Sequence, residues 1–248
     1  MSRPTADSDG EASLTQPPTA AVDDAIAAFR AGNPVLIYDD DDREGETDIV
    51  YPATSVDPDA VSRLRNDAGG LICVALADSV ADTFGLPFLQ EAIDHPATAD
   101  HNLSYDDRSS FSLTVNHRET ETGITDRDRA LTIAELGAAA GAVAGSDGPE
   151  YGIEDFAANF RSPGHVHLLR AAPNHLADRA GHTELGVALA EAAGCPPAVV
   201  VCEMLDDDTG RARSPADAAS YADRNGLIFD HGGYRLSFRR WVQTVKNR

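Results

Sequence analysis

The sequence contains almost no lysine: Lys246 is the only one among 248 residues, so nearly all of the positive charge is arginine. Acidic residues outnumber basic ones by 41 to 20, and the formal net charge at pH 7 is −21. Binding to nucleic acid or to an anionic membrane surface requires clustered Lys and Arg that neutralise phosphate groups. The scarcity of cations therefore predicts that neither is a partner of this protein.

Long apolar runs and targeting signals are also missing. No segment reaches the roughly 18 consecutive apolar residues that a membrane helix needs, and no basic segment followed by an apolar one opens the chain. The three cysteines, Cys73, Cys195 and Cys202, form no CxxC pair and lie in or beside apolar runs. This placement predicts buried free thiols in a reducing compartment, so we expect a cytoplasmic protein.

The chain has no GxGxxG motif, no Walker loop and no internal repeat. These absences argue against dinucleotide-binding, P-loop and repeat architectures. The excess of Asp is spread along the whole chain. Because dense counterions screen the repulsion between surface carboxylates, this distribution favours a protein from a halophile that works in high salt.

The sequence does contain an irregular alternation of predicted strands and helices. Residues 1–18 are polar and bear prolines, so we predict a disordered acidic tail, followed by one domain over 19–248. Apolar runs predict strands at 34–38, 48–53, 71–76, 111–117, 165–171, 197–205 and 227–230. Helical spacing predicts helices at 20–33, 57–70, 130–145, 182–194 and 214–226. This pattern indicates an α/β (α+β) fold, a single domain with a mixed β-sheet covered by helices.

The densest charge lies between two predicted strands, in the sequence DDDDREGETD at positions 39–48, which we call the acidic loop. Seven of its ten residues are carboxylates, and such crowding is unfavourable unless a cation or an arginine neutralises part of the charge. Carboxylate oxygens suit Mg²⁺ or Mn²⁺ better than zinc. Charge alone leaves open that this stretch is simply a solvated turn on a very acidic protein.

A second candidate is RAGHTE at positions 179–184, where a predicted helix begins. Backbone N–H groups at a helix N-terminus attract anions, and Arg179, His182 and Thr183 add further donors for a phosphate or a carboxylate. His182 can equally ligate a metal, or it can be a surface residue.

Two more polar residues are predicted at strand ends. In RSPGHVHLLRA at 161–171, Pro163 and Gly164 predict a turn that leaves His165 at the mouth of a strand. Glu203 ends an apolar run, where an ionised carboxylate is costly to bury, so we expect it to have a partner or a raised pKa.

Five blocks of the sequence resemble, in the same order, the signature blocks of the 3,4-dihydroxy-2-butanone 4-phosphate synthase family. They are DDDDREGETDIVYPA, GITDRDRALTI, RSPGHVHLLRA, RAGHTELGVALAEAAG and VVCEMLDDDTGRAR. The resemblance implies a lyase of riboflavin biosynthesis that converts D-ribulose 5-phosphate to L-3,4-dihydroxy-2-butanone 4-phosphate and formate. It implies a metal-stabilised enediolate, a skeletal rearrangement and a homodimer. It also implies the stand-alone form, because fused relatives continue into a GTP cyclohydrolase II domain.

The resemblance also implies roles for individual residues. The metal, Mg²⁺ or Mn²⁺, is bound by Glu44 and His182. The residues needed for catalysis are His165, Glu203, Glu46 and Asp48. The residues that hold the substrate are Arg43, Glu44, Asp48, Arg179, Ala180, Gly181, His182 and Thr183. Cys73 falls where the family has a cysteine near the site, whereas Thr47 stands where the family commonly has glycine.

The residues alone leave two other classes of protein open. A non-catalytic module of related fold would bind nucleotides or RNA, but the negative charge disfavours RNA. Such a module also has no need to keep two acidic residues and two histidines of these motifs together. A different metal-dependent sugar-phosphate enzyme, such as an isomerase or an aldolase, would share the metal and phosphate features but would release no formate.

Overall fold

A computed structural model describes residues 18–39, 43–98, 108–145 and 151–230, and most of its strands form one seven-stranded sheet. Apart from residue 18, the predicted tail at 1–18 lies outside the described residues. The same is true of Asp40, Asp41 and Asp42 in the acidic loop.

The secondary structure contains every predicted helix and strand, with shifted ends. The strands are β1 Val35–Tyr38, β2 Thr47–Pro52, β3 Cys73–Leu76, β4 Phe111–His117, β5 Phe160–Arg170, β6 Ala198–Glu203, β7 Leu205–Asp206, β8 Arg211–Ala212 and β9 Ile228–Asp230. The α-helices are α1 Pro18–Arg30, α2 Pro58–Arg63, α3 Asp78–Thr83, α4 Leu89–Ala92, α5 Asp126–Ala144, α6 Ile153–Asn159, α7 His182–Ala193 and α8 Pro215–Asn225. The 3₁₀ turns Ala53–Ser55, Pro96–Thr98 and His175–Ala177 and the π-helical turn Leu64–Ala68 complete the described elements.

The sheet is mixed, as predicted. Its strand order is β4–β5–β3–β6–β2–β1–β9. β3 runs parallel to β5 and β1 runs parallel to β9, whereas the other neighbouring pairs are antiparallel. β1 and β2 form a hairpin whose connection is the acidic loop, so this loop emerges at one end of the sheet.

The centre of the sheet is covered on both faces. β1, β2 and β3 are buried along their whole length, and β6 is buried up to Glu203 at its end. This explains why these strands read as continuous apolar runs in the sequence. Helices α5 and α7 both contact β6. All three cysteines are free thiols, and Cys73 and Cys202 are buried as predicted, whereas Cys195, for which burial was also predicted, is partly exposed.

Strand β5 corrects one prediction. It begins at 160 and not at 165, and Pro163 and Gly164 lie inside it and not in a preceding turn. The pairing with β4 shifts register after Val115, so residues 162–165 bulge out of the ladder. A Cβ on Gly164 would lie 2.0 Å from the carbonyl carbon of Val115, which leaves room only for glycine. His165 therefore lies within the strand.

None of the helices in the described part of the chain combines the length and the apolar character that crossing a membrane requires.

Candidate active site

The acidic loop and the start of α7 meet at one end of the sheet, around the ring of His182. Nδ1 of His182 lies 3.7 Å from Oε2 of Glu44. Nε2 lies 3.6 Å from Oδ1 of Asp48 and 3.1 Å from the carbonyl oxygen of Glu46. Two motifs that are about 140 residues apart in the sequence therefore form one cluster.

Asp39 gives the acidic loop its shape. Its Oδ1 accepts hydrogen bonds from the N–H groups of Gly45 at 3.0 Å and Glu46 at 3.2 Å, and its Oδ2 accepts one from Glu44 N–H at 3.1 Å. Nε of Arg43 lies 3.7 Å from Oδ2. Asp39 is almost completely buried, with 1% of its surface exposed. No role was predicted for it, because composition does not distinguish it from the six other carboxylates of the loop; its position directly after a buried strand was the available signal.

The sheet itself contributes two carboxylates. Asp48 on β2 pairs with Glu203 on β6, and residues opposite each other in an antiparallel pair project from the same face. On the next strand, Cys73 of β3 pairs with Val201 of β6. Asp48 is buried, whereas Glu203 is partly exposed and its Oε2 accepts a hydrogen bond from Leu71 N–H at 2.7 Å.

These groups line a cavity of about 320 Å³, a size that suits a small polar molecule. Six predicted site residues line it: Glu44, Asp48, Arg179, His182, Thr183 and Glu203. Ser110 and Phe111, to which the sequence assigned no role, lie in the same wall, together with Cys73.

Arg179 is held against the cavity by Glu184. Its Nη1 contacts Oγ of Ser110 and lies 3.4 Å from Oε2 of Glu184. Glu184 is fully buried and also accepts hydrogen bonds from the N–H groups of Ala172 at 3.0 Å and Gly181 at 3.3 Å. Sequence reasoning missed Glu184, although it belongs to the RAGHTE stretch; its position three residues after Gly181, which caps the helix, was the available signal.

The N-terminus of α7 has a second arginine beside it. A Cβ on Gly181, the residue that caps α7, would lie 3.0 Å from Nη2 of Arg43. Ala180 and Thr183 on either side are buried. Two guanidinium groups beside the N–H groups of a helix N-terminus form a suitable binding site for a phosphate.

The charges in the cluster raise the pKa of His182. Burial of the ring lowers this pKa, but the carboxylates of Asp48, Glu44 and Asp39 outweigh burial and raise it to about 10. The hydrogen bond with His182 lowers the pKa of Glu44, against an opposing effect of burial. Glu44 is therefore an anion at neutral pH. Since a proton on His182 and a divalent cation would neutralise the same carboxylates, metal binding and loss of that proton are coupled.

Two neighbouring carboxyl groups, those of Asp48 and Glu46, have raised pKa values instead. Burial raises the pKa of Asp48 well above its usual value; His182 opposes this shift, and Glu203 adds to it. Burial also raises the pKa of Glu46, again with a contribution from Glu203. The environment of the cluster therefore lowers one carboxyl pKa and raises two others, the pattern that separates acid and base roles in active sites.

Five predicted site residues are not among the described residues that line this cavity: Arg43, Glu46, Ala180 and Gly181, which belong to the two motifs that meet at His182, and His165 on β5. The side chain of His165 is exposed. Asn116 on β4 holds it: Oδ1 accepts a hydrogen bond from His165 N–H at 2.8 Å, and Nδ2 lies 3.1 Å from Nδ1 of the ring. Asn116 is buried and was also missed from the sequence.

The residues around His182 fit a hard divalent cation. Asp39, Glu44 and His182 each offer one ligand atom, and these atoms lie within 4.8 Å of one another. The carboxylate of Asp39 already accepts three backbone hydrogen bonds, which leaves Glu44 and His182 as the more available ligands. Oxygen donors with one imidazole suit Mg²⁺ or Mn²⁺.

Comparison with known proteins identifies the family. The family model for 3,4-dihydroxy-2-butanone 4-phosphate synthase matches residues 23–232. The chain is 50% identical over 234 residues to the 3,4-dihydroxy-2-butanone 4-phosphate synthase of Archaeoglobus fulgidus, an alignment that covers 90% of this chain and 96% of that relative. The chain belongs to this family. The family that the sequence blocks indicated is thereby confirmed, and the two alternative classes are set aside.

Solved structures of the family share the fold. The synthase of Candida albicans superposes with a TM-score of 0.68 at 27% identity, over 90% of this chain and 96% of that chain. A synthase in complex with two magnesium ions superposes with a TM-score of 0.64 at 29% identity, over 84% of this chain and 91% of that chain. The single-domain mixed sheet is therefore the fold of this family.

Proposed function

We propose that the protein is a lyase that converts D-ribulose 5-phosphate to L-3,4-dihydroxy-2-butanone 4-phosphate and formate, a step of riboflavin biosynthesis. The observation that carries this proposal is the family match over residues 23–232. It is supported by the convergence of Glu44, Asp48, His182 and Glu203 on one cavity.

The phosphate end of the substrate binds where the positive charge lies. Arg179 and Thr183 line the cavity beside the N-terminus of α7, and Arg43 lies against Gly181. Helix N–H groups and bidentate guanidinium groups fix a phosphate in position. The backbone from Arg179 through Ala180 to Gly181 completes this side of the site. Anchoring here directs the sugar carbons toward the carboxylates.

Glu44 and His182 would hold the divalent cation, Mg²⁺ or Mn²⁺, close to the ketone end of the substrate. When bound, such a cation stabilises negative charge on substrate oxygens. The lowered pKa of Glu44 keeps its carboxylate ionised for this purpose. The synthase solved with two magnesium ions supports a divalent-cation requirement in the family.

The proton transfers are assigned to the carboxyl groups beside the cation site. Burial raises the pKa values of Asp48 and Glu46, which favours their protonated forms and makes both residues candidates for taking up and returning a proton. Glu203 lies opposite Asp48 across β2 and β6 and reaches the same cavity, where it is a further acid or base. The enediolate and the rearrangement that follow require several such transfers, which is why one carboxylate is not enough.

His165 acts through assembly of a homodimer, in which its exposed side chain contributes to the site of the second copy. The exposure of His165 on β5, outside the cavity of its own chain, supports this part of the proposal. The test is complementation between two inactive variants, His165→Ala and Glu44→Gln. Random exchange of subunits leaves intact about a quarter of the sites if they are shared, and no recovery of activity would contradict the shared site.

We also infer a cytoplasmic location and adaptation to high salt. The three free thiols support the first, and the net charge of −21 supports the second.

The decisive experiment supplies D-ribulose 5-phosphate with Mg²⁺ and measures formate against substrate consumed. Formate should appear in step with substrate loss, EDTA should stop the reaction, and added Mg²⁺ or Mn²⁺ should restore it. Consumption without formate would indicate isomerase or aldolase chemistry and contradict the proposed function. Full activity in a metal-stripped sample would contradict the cation site alone.

A further inference from the structure

The segment that leads into β3 crosses the end of β6 at Glu203. Gly70 N–H donates a hydrogen bond to the carbonyl oxygen of Glu203 at 3.0 Å. Gly69 bridges to Met204, the residue after Glu203, in antiparallel fashion. Leu71 N–H then donates to Oε2 of the Glu203 side chain at 2.7 Å. Successive backbone amides of one segment therefore bind both the main chain and the carboxylate of the same residue.

This arrangement exists because Gly70 has no side chain. A Cβ at Gly70 would lie 2.4 Å from Oε2 of Glu203, 2.6 Å from its carbonyl oxygen and 2.9 Å from its Cβ. A carboxylate alone could swing away from such a methyl group, but the carbonyl oxygen and Cβ belong to strand β6 and cannot. Any residue other than glycine would push the segment and the carboxylate apart.

We propose that Gly70 and the N–H group of Leu71 form a backbone clamp that positions the Glu203 carboxylate in the wall of the cavity. Gly70 is thus a positioning residue for the reaction, a role that rests on the proposed function of Glu203. The clamp acts on one oxygen of the carboxylate and leaves the side chain lining the cavity opposite Asp48.

The chemistry of the contact explains why the clamp is needed. A glutamate side chain has three rotatable bonds, and a partly exposed one samples several rotamers. A hydrogen bond from a fixed backbone N–H group restricts that freedom, and 2.7 Å is at the short end of the range for N–H donors. The side chain of Leu71 is 40% exposed, so the contribution of this residue to the site is its amide.

Two variants test the clamp by different means. Gly70→Ala introduces the methyl group that the segment cannot accommodate. Leu71→Pro removes the N–H donor without adding a side chain at Gly70, and Leu71→Ala is its control because it retains the donor. Gly137→Ala is the matched steric control: a Cβ there would lie 2.7 Å from Thr54 N in the packing of α5, outside the cavity.

Formate release, the melting temperature and a double-mutant cycle are measured for each variant. Gly70→Ala and Leu71→Pro should lower kcat by about 100-fold with KM within about threefold, as expected for a misplaced acid or base. Gly137→Ala should lower the melting temperature but leave kcat within about twofold, and Leu71→Ala should retain kcat as well. In a Glu203→Gln background, Gly70→Ala should lower kcat by less than about threefold, because residues that act through one group are not additive.

The outcomes separate the clamp from the proposed function. Wild-type kcat in folded Gly70→Ala or Leu71→Pro, while Glu203→Gln is inactive, overturns the clamp and leaves the proposed function in place. The clamp is also overturned if Gly70→Ala lowers kcat equally with and without Glu203, since that would be a general structural effect. Should Gly70→Ala not fold, Leu71→Pro decides. Near-normal activity in Glu203→Gln overturns the role of Glu203 itself, and the clamp with it.

Discussion

Replacing Asp39 should unfold the acidic loop before it affects the rest of the fold. In Asp39→Ala the N–H groups of Glu44, Gly45 and Glu46 all lose their acceptor. At about 1 kcal/mol net for each hydrogen bond, the free energy of unfolding falls by about 3 kcal/mol. For a chain of this size that corresponds to a melting temperature lower by roughly 6–12 °C.

Asp39→Asn should destabilise the protein less than Asp39→Ala, because the two carboxylate oxygens accept different hydrogen bonds. Oδ1 accepts two of the three hydrogen bonds and Oδ2 accepts the one from Glu44 N–H. An asparagine that keeps Oδ1 in place loses only the bond to Glu44 and the charge that faces Arg43, so we expect a loss of about 1–2 kcal/mol. Because the lost bond is the one that positions Glu44, Mg²⁺ affinity should fall by about tenfold, the lower end of the effect typical for a residue that orients a ligand.

Thermal unfolding and calorimetric titration with Mg²⁺ measure the two effects separately. Asp57→Ala is the control: Oδ1 of Asp57 accepts one hydrogen bond from Ala60 N–H at 2.8 Å at the N-terminus of α2, so its loss should lower stability by about 1 kcal/mol without affecting Mg²⁺. Melting temperatures of Asp39→Ala within 1–2 °C of wild type, roughly the shift expected for less than one hydrogen bond, would refute the assignment of Asp39 as the residue that shapes the loop. The same conclusion follows if Asp39→Asn and Asp39→Ala have the same melting temperature.

The remaining predictions concern the cluster, the surface and one turn. Glu44→Gln and His182→Ala should each lower the rate of formate release by at least about 100-fold, whereas replacing Asp41, which lies outside the described residues, should leave it near wild type; near-normal turnover in either variant would contradict the cation site. Molar KCl should raise the melting temperature, because the Debye length falls from roughly 10 Å at 0.1 M to roughly 3 Å at 1 M salt; a flat or falling melting temperature would refute the adaptation to high salt. Hydrogen bonds from backbone N–H groups, foremost that of Gly123, lower the pKa of Asp128 to about 2. A lowered folded-state pKa stabilises the protein above the unfolded pKa and ceases to do so as pH falls through the folded value. Asp128→Asn should therefore unfold at a lower temperature than wild type near pH 6, and the difference should shrink below about pH 4; a difference independent of pH would exclude the charge as its cause.

The polar residues of the site were predictable from the sequence where they belong to short motifs typical of the family. Glu44 and His182 stand in blocks whose residue types and order indicate the family, and the structure brings both to one cluster. Asp39, Glu184 and Asn116 were not predictable in the same way. Glu184 and Asn116 bind groups that only the folded chain brings within reach. Asp39 binds the N–H groups of its own loop, which the folded loop turns back toward its carboxylate.

The seven strands of the main sheet and five of the helices followed from periodicity, whereas the short helices α3, α4 and α6 and the strand β8 were not predicted. Buried strands such as β1 and β6 are apolar throughout, so their positions are evident without knowledge of their neighbours. The proline–glycine pair at 163–164 was misassigned because a turn and a bulge use the same residues. What distinguishes them is the pairing with β4, which is a tertiary contact.

The pairing of Asp48 with Glu203 determines where insertions and deletions are tolerated in this fold. Strand side chains alternate between the two faces of a sheet, so an insertion or deletion of one residue within β2 or β6 would turn one of these carboxylates to the opposite face. The spacing from Tyr51 to Asp48, and from Val199 to Glu203, is therefore fixed by the ladder. The connection between β7 and β8 has no such constraint, since neither strand pairs with the main sheet in the described part of the chain. Differences in length among functional relatives are thus expected to accumulate in connections of this kind and to be absent from the two strands that carry the carboxylates.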